Sequence, residues 1–335
     1  MQPCRAQGTY QGMQNLSAGF WGWQWAFAVL GIGAQAAAAM PVITALTLCM
    51  ERHGQSALRI QGAYALTRLN IWLACLGPLL VTGDALLLLS GSGGTGALWA
   101  ASLTNPAFLP YTTSVASWLA GIFCLLLYAQ KHAAPPLPQR AAPNNKACIP
   151  DDALRRAQPG LRQHLILVCL AALCFFAARA LPYWPFASLP QGMDFSRAAT
   201  AVLSGAAHNF FAALSPAGAI ALLALPVMRS LLPHTPSAIE SEQTAARWCA
   251  LWALAGYVPR CLDRWGVLLG FALRDGALPD WLALQALAQI LLTLAIACWG
   301  ILFGMRAPRR LYWLNGLALG LLAARESLPF LARLF

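Results

Sequence analysis

Charged residues are scarce in this chain of 335 residues: Asp, Glu, Lys and Arg make up only 10%, and apolar residues make up 59%. A soluble domain of this size needs more polar surface, so the composition excludes an ordinary globular protein. Acidic residues are fewest, 11 against 22 Lys and Arg, which gives a net charge of +11. The basic residues are divided among short segments and form no continuous stripe, so we expect no nucleic-acid partner. Anionic membrane lipid explains them better.

Clustered metal ligands are also missing from the sequence. The ten cysteines are scattered and contain no Cys-x-x-Cys pair, whereas iron–sulfur and zinc sites need thiolates at short spacing. Of the five histidines, only His208 lies well inside an apolar segment, so two facing imidazoles for a haem are not available. We therefore predict a chain that carries no haem or metal, in which the cysteines are small packing residues.

Long apolar runs are what the sequence has in abundance. Each run is long enough to cross a hydrocarbon core of about 30 Å at about 1.5 Å per residue. They predict an all-α, polytopic membrane helix bundle with eight transmembrane helices. The predicted spans are residues 19–50, 69–90, 111–130, 163–182, 198–228, 248–273, 281–305 and 311–332.

The basic residues between the predicted spans alternate between two sides. Fourteen Lys and Arg residues fall in the first, third, fifth and seventh loops, and only four lie on the other side. By the positive-inside rule the fourteen are cytoplasmic, so both termini are predicted outside the cytoplasm. The chain 1–335 is then a single integral membrane domain. Its Pro-rich loop 131–161 is predicted to be a flexible cytoplasmic linker between two four-helix halves.

Ionisable residues inside the spans need their own explanation, because an intramembrane charge costs about 2.5–3.5 kcal/mol on insertion scales. In the sixth span Asp263 can pair with Arg260 or Arg264, its neighbours on one helical face, and the second arginine then needs another carboxylate. Counting along the helices places most of the set in the outer half of the membrane and His208 nearer the midplane. The set is Asp84, Arg179, His208, Arg260, Asp263, Arg264, Arg325 and Glu326.

Three interpretations of these charges are open. A structural ion-pair cluster would only hold helices together. A transporter cavity would need broken helices, for which five prolines inside the spans are candidates. A site for proton-coupled redox of a lipid-soluble quinone would need acceptors that take protons as electrons leave. For the quinone site, the candidate proton acceptors are Asp84 and Glu326, and the candidate quinone-binding residues are His208, Arg260, Asp263 and Arg264.

Two segments resemble the family of dimethyl sulfoxide reductase membrane anchor subunits. Trp23-Gln24-Trp25-Ala26-Phe27, followed by Gly33-Ala34-Gln35 and four alanines, is similar to that family's first helix, which has a Trp-containing entry, a Gly-Gln and small residues. The last span, with Arg325-Glu326, is similar to the family's closing helix, which carries Gly-Glu-x-x-Gly-Arg. The eight-span plan with both termini outside also matches along nearly the whole chain.

The chain departs from that family at several positions. Of the closing motif only Glu326 remains, since Arg325, Pro329 and Phe330 replace the first Gly, the second Gly and the Arg. The family's His at the outer end of helix two is replaced by the leucines of 86–89, and Asp84, about one turn deeper, is our expected substitute. The family's Glu at the start of helix three falls near Thr113 or Ser114.

The resemblance implies a function. It implies a subunit that oxidises menaquinol near the outer face and passes electrons to an iron–sulfur subunit, which supplies a molybdopterin catalytic subunit in anaerobic respiration. Menaquinol and menaquinone would be its bound substrate and product. Both partner subunits would lie on the outer face, and the complex would reside in the bacterial cytoplasmic membrane. A polytopic transporter, or a purely structural anchor without a quinone site, is the alternative.

Overall fold

The computed structural model of the chain describes residues 18–50, 63–78, 109–131, 158–181, 195–230, 236–275, 280–305 and 308–331. Every regular element within these ranges is a helix. The helices are α1 (Ala18–Met50), α2 (63–78), α3 (Leu109–Lys131), α4 (Gln158–Ala180), α5 (Phe195–Ser230), α6 (Pro236–Asp275), α7 (Asp280–Gly304), a 3-10 turn (Pro308–Leu311) and α8 (Tyr312–Leu331). The prediction of an all-α fold is confirmed.

Five of these helices are long and apolar enough to cross a membrane, judged by length and composition. The other three are α2, which is described only over 63–78, and α6 and α8, which carry charged residues. The chain is a multi-pass membrane protein, and the count of eight spans and the position of the termini stay predictions. The five candidate spans are Leu30–Cys49, Thr112–Gln130, Gln163–Ala180, Val202–Pro226 and Leu282–Gly304.

Helix α6 starts earlier than its apolar run indicates. It begins at Pro236, before the predicted start at 248, and α4 begins at Gln158 rather than 163. Most residues of the α6 extension are polar or small, so hydropathy does not detect them, but they continue the helix beyond its apolar part. In α6 this extension contacts α8, since the Tyr312 hydroxyl donates to Glu242 Oε1 at 3.2 Å. Most of the predicted linker, residues 132–157, lies outside the described residues.

A run of small residues in α1 joins the two halves of the bundle. Ala36, Ala37, Ala38 and Ala39 are all fully buried. Because successive residues point about 100° apart around a helix, the run packs in two directions. Ala37 and Ala38 belong to a core shared with α2, α3 and α4, whereas Ala36 and Ala39 pack against α5. Small side chains allow this close approach of helices.

The last four long helices form a ring. Helix α5 packs on α6 and α8, and α7 packs on the same two helices, so α6 and α8 occupy opposite corners. The ring encloses the largest apolar core, which includes Tyr257, Trp299 and Leu322. In such a bundle, side chains from diagonal helices can meet at the centre.

Glycines bring the backbones of α5 and α6 into contact. A Cβ added at Gly218 would lie 2.5 Å from the backbone nitrogen of Ala253, and one at Gly256 would lie 2.6 Å from that of Ser215. No larger residue fits either position without moving a helix. The contact therefore fixes α6 against α5 just before the segment that carries Arg260.

Side-chain hydrogen bonds then fix α7 and α8 relative to their neighbours. Trp299 Nε1 donates to Asn315 Oδ1 at 2.8 Å, and Asn315 Nδ2 donates to the Ala219 carbonyl at 2.8 Å, which links α7, α8 and α5. On the other side, Gln289 Nε2 of α7 donates to the Cys261 carbonyl of α6 at 3.0 Å. Buried polar groups of this kind are costly unless paired, so the bonds define one arrangement of the ring.

Candidate functional site

The second half of α6 presents a tyrosine and an arginine on one face. Tyr257 and Arg260 are three residues apart, a spacing that places side chains next to each other on a helix. Tyr257 is 3% exposed, and its ring stacks on Trp299 of α7 with a centroid distance of 6.5 Å and an interplanar angle of 20°. Its hydroxyl has no hydrogen-bond partner among the described residues. Arg260 is partly buried.

An ion pair lies near the end of α8. Arg325 Nη1 donates to Glu326 Oε1 at 2.7 Å, and the two side chains are 15% and 36% exposed. The residues are adjacent on one helix, so the pair joins no two helices. The Nε atom of Arg325 is buried and has no hydrogen-bond partner. One edge of this guanidinium therefore holds Glu326, while the other edge donates to no residue that the structure describes.

The α6 and α8 groups meet across the ring. The charges of Arg325, Glu326 and Arg260 all act on Tyr257, and Arg260 also interacts electrostatically with Arg325 and Glu326. Arg179, at the end of α4, acts on Tyr257 as well. We refer to Tyr257, Arg260, Arg325 and Glu326 as the polar cluster. It combines one carboxylate and one phenol with two guanidinium groups inside an apolar bundle.

The other predicted site residues are placed differently. Asp263 and Arg264 are exposed on α6, and Asp263 forms no ion pair with Arg260, Arg264 or another residue in the described part of the chain. The side chains of Asp263 and Arg264 both point away from the ring, and in this orientation the short carboxylate of Asp263 does not reach a guanidinium. His208 is exposed on α5 and has no contact with the polar cluster. Asp84 lies outside the described residues.

Tyr257 is the member of the cluster that sequence reasoning missed. A tyrosine in an apolar span is not an ionisable residue at neutral pH, and it did not stand out among the aromatic residues. The available signal was its position three residues before Arg260, which places both on one helical face. Which other helix this face meets depends on the ring arrangement, and no sequence pattern gives that.

The polar cluster is equipped for proton transfer and hydrogen bonding to a ligand. A carboxylate accepts a proton, a phenol donates or accepts a hydrogen bond, and guanidinium groups only donate. Among the described residues, no group of three or more His, Cys, Asp or Glu is placed to hold a metal ion. The carboxylate, phenol and guanidinium groups of the cluster supply acid–base chemistry and anion binding.

Comparisons with known proteins add no family. No protein-family model, curated protein or solved structure matches this chain. What can be said of its function therefore rests on the membrane helices and on the polar cluster.

Proposed function

We propose that the chain is the membrane anchor and quinol-oxidising subunit of a molybdopterin oxidoreductase complex in a bacterial cytoplasmic membrane. The observation that carries the proposal is the polar cluster: a carboxylate on α8 and a phenol on α6 converge beside two arginines in the interior of a membrane bundle. Intramembrane ionisable residues are costly and usually functional. The resemblance of the first and last helices to the dimethyl sulfoxide reductase anchor family supports the same function.

Quinol oxidation releases two electrons and two protons, and the cluster offers groups for the protons. In the proposal Glu326 accepts a proton from one quinol hydroxyl, and the Tyr257 hydroxyl hydrogen-bonds the other quinol oxygen. Arg325 holds the Glu326 carboxylate at 2.7 Å, and Arg260 places a second positive charge near it. Asp84 is the second proposed proton acceptor. His208, Asp263 and Arg264 are proposed to contact quinone further from the ring.

The electrons need an acceptor on another subunit, because the proposal assigns no metal group to this chain. We propose that an iron–sulfur subunit docks on the outer face, through loops such as 91–110 and 183–197, and passes electrons to a molybdopterin catalytic subunit. This placement follows from the predicted topology, in which eight spans and two outer termini put the cluster in the outer half of the membrane. Protons would leave to the outer side.

The structure favours this function over the two alternatives on specific grounds. A structural ion-pair cluster should connect helices, whereas the Arg325–Glu326 pair lies within α8. A transporter of the broken-helix type should interrupt its helices at prolines. Instead, α1 continues through Pro41, and α5 and α6 continue through their internal prolines.

The test separates proton acceptance from folding. In membranes that contain the assembled complex, we expect Glu326→Gln to leave the amount of assembled chain unchanged and to slow quinol oxidation by about 10²–10⁴-fold, as for loss of a general base. Glu242→Gln is the matched control, because Glu242 is also a carboxylate of the ring but lies at its other end, next to Tyr312. Asp84→Asn is measured in parallel.

Two results would contradict the proposal. Normal quinol oxidation in assembled Glu326→Gln and Asp84→Asn variants would exclude both acids as proton acceptors. Affinity purification in mild detergent tests the partner: we expect an iron–sulfur subunit to co-purify with the chain. A stable, colourless chain without any redox partner, isolated from cells growing by anaerobic respiration, would count against the complex.

A further inference from the structure

The polar cluster contains more positive than negative charge. Arg260 and Arg325 interact with each other as like charges, and Glu326 is the one carboxylate among the four side chains. Arg260 has no hydrogen bond or ion pair with a described residue. Two guanidinium charges that interact inside an apolar bundle are unfavourable unless negative charge balances them.

Arg325 also has a free, buried donor. Arg325 uses Nη1 for Glu326, whereas its Nε, on the opposite edge of the guanidinium, is buried without a partner. A buried donor without an acceptor is destabilising. The free edge is a planar fork, which matches two oxygens of an oxyanion.

A third free donor adjoins these two groups. The Tyr257 hydroxyl belongs to a side chain that is 3% exposed, and it has no hydrogen-bond partner in the described part of the chain. Arg325 and Arg260 both act on it electrostatically. Unpaired donors on α6 and on α8 therefore belong to side chains that interact electrostatically.

We infer that Arg260, Tyr257 and the free edge of Arg325 bind a phosphate oxyanion, carried by an anionic phospholipid headgroup or present as inorganic phosphate. Phosphate is favoured because it presents several oxygens to donors from different directions. Glu326 lies five residues before Leu331, the last residue of α8, so the cluster is about 8 Å from that helix end. Arg264, exposed one turn beyond Arg260, extends the positive charge toward the same end.

This inference does not rest on the proposed function, although both assign a role to the Tyr257 hydroxyl. In the proposed function Glu326 accepts the quinol proton while Arg325 Nη1 holds Glu326, whereas phosphate would bind the other edge of Arg325. The two ligands are also measured in different ways. Loss of phosphate binding with normal quinol oxidation, or the reverse, tells which of the two proposals has failed.

The binding experiment uses native mass spectrometry of the full chain, with any subunits that co-purify, in mild detergent. The probes are phosphatidylglycerol, diacylglycerol with the same acyl chains, and inorganic phosphate. We expect wild type to retain phosphatidylglycerol but not diacylglycerol, and Arg260→Gln and Arg325→Gln each to weaken binding by about tenfold, equivalent to about 1.4 kcal/mol. Arg274→Gln is the control, because Arg274 lies on the same helix but its guanidinium carbon lies 5.2 Å from the ring centroid of Phe271. We expect this variant to leave phosphatidylglycerol binding unchanged.

The probes distinguish the source of the phosphate. If phosphatidylglycerol binding depends on both arginines, the ligand is a lipid headgroup. If inorganic phosphate binds with the same dependence and phosphatidylglycerol does not, the ligand is free phosphate. Binding of both probes that is unaffected by Arg260→Gln and Arg325→Gln, or no binding of either probe to wild type, overturns the inference.

A second measurement needs no variant and covers the case in which a substitution prevents folding. A ligand that binds only the folded state raises the apparent temperature of thermal denaturation. We expect phosphatidylglycerol or inorganic phosphate to stabilise wild type more than diacylglycerol or chloride at equal concentration. Equal effects of the phosphate-containing and phosphate-free probes would contradict a phosphate site.

Discussion

The two halves of the bundle are held together by different means. Among the described residues, α1 to α4 pack through small and aromatic side chains, as where Trp118 and Phe175 lie 4.7 Å apart between ring centroids. Two interhelical hydrogen bonds of this half run from side chains to backbone carbonyls. In α5 to α8, side chains from different helices bond each other, as Trp299 does with Asn315. The polar cluster lies in this second half.

The carbonyls bonded in the first half lack the ordinary partner within their own helix. Trp118 Nε1 donates to the Ala74 carbonyl at 2.8 Å, and Ser114 Oγ donates to the Ala178 carbonyl at 2.6 Å. Ala74 lies four residues before Pro78, which has no N–H to donate. Ala178 lies in the last turn of α4, which ends at Ala180, and carbonyls of a last turn have no partner within their helix. Helix α3 thus supplies donors to backbone carbonyls of its neighbours, whereas in the second half side chains of different helices bond each other.

The predicted topology gives the largest expected effect, because its outcome is all or none. A reporter fused after residue 145 falls in the predicted linker between the halves, and one fused after 335 follows the second half. The unequal distribution of basic residues predicts a cytoplasmic location for the first and an outer location for the second. Activity of both reporters on the same side of the membrane would contradict the eight-span prediction.

Glycine contacts provide the largest expected stability difference. In the second half, a Cβ at Gly218 would lie 2.5 Å from a backbone atom of α6, whereas in the first half one at Gly121 would lie 2.8 Å from the Phe175 ring. A ring can turn and a helix backbone cannot, so Gly218→Ala should cost about 1–3 kcal/mol as an overpacked contact. Gly121→Ala should cost less. Thermal denaturation in detergent, followed by tryptophan fluorescence, measures both.

The control for these variants is Gly266→Ala, at a helical position where nothing lies within 4 Å of the added Cβ. Alanine favours a helix over glycine by about 1 kcal/mol, so we expect no loss of stability. A Gly218→Ala variant as stable as wild type would show that the backbones of α5 and α6 separate without cost, and the proposed rigid support of the polar cluster would be wrong.

The sequence indicated the helices more completely than the site. Apolar runs are local, and each of the eight predicted spans overlaps a helix of the described chain, although α6 begins at Pro236 because its first turns are polar. Arg260 and Glu326 stood out because charge is rare in apolar spans. Tyr257 did not, since its role depends on α6 and α8 occupying opposite corners of a ring. The orientation of Asp263 away from that ring is likewise a property of packing.

Asn315→Leu should have the next effect, because it removes the hydrogen bonds that join three helices of the second half. Asn315 is 1% exposed and Trp299 is fully buried, so the indole N–H would be left without its acceptor. We expect a loss of about 1–3 kcal/mol, the cost of an unsatisfied buried group. The control is Asn209→Leu, since Asn209 is also on α5 to α8 but has no hydrogen bond with a described residue. Equal losses would contradict a specific role for the link.

Ser114→Ala should have the smallest effect. It removes the one donor to the Ala178 carbonyl that the structure records, at 2.6 Å, and this carbonyl, in the last turn of α4, has no partner within its own helix. Hydrogen bonds between membrane helices average about 0.6 kcal/mol, so the apparent denaturation temperature should fall by about 1–3 °C. Ser117→Ala, on the same helix, removes a hydroxyl that bonds no described residue and should leave the denaturation temperature unchanged.

If Ser114→Ala instead destabilised the chain as much as Asn315→Leu, the hydrogen bonds of the two halves would be equally important. The contrast between a half in which side chains bond backbone carbonyls and a half in which side chains bond each other would then fail.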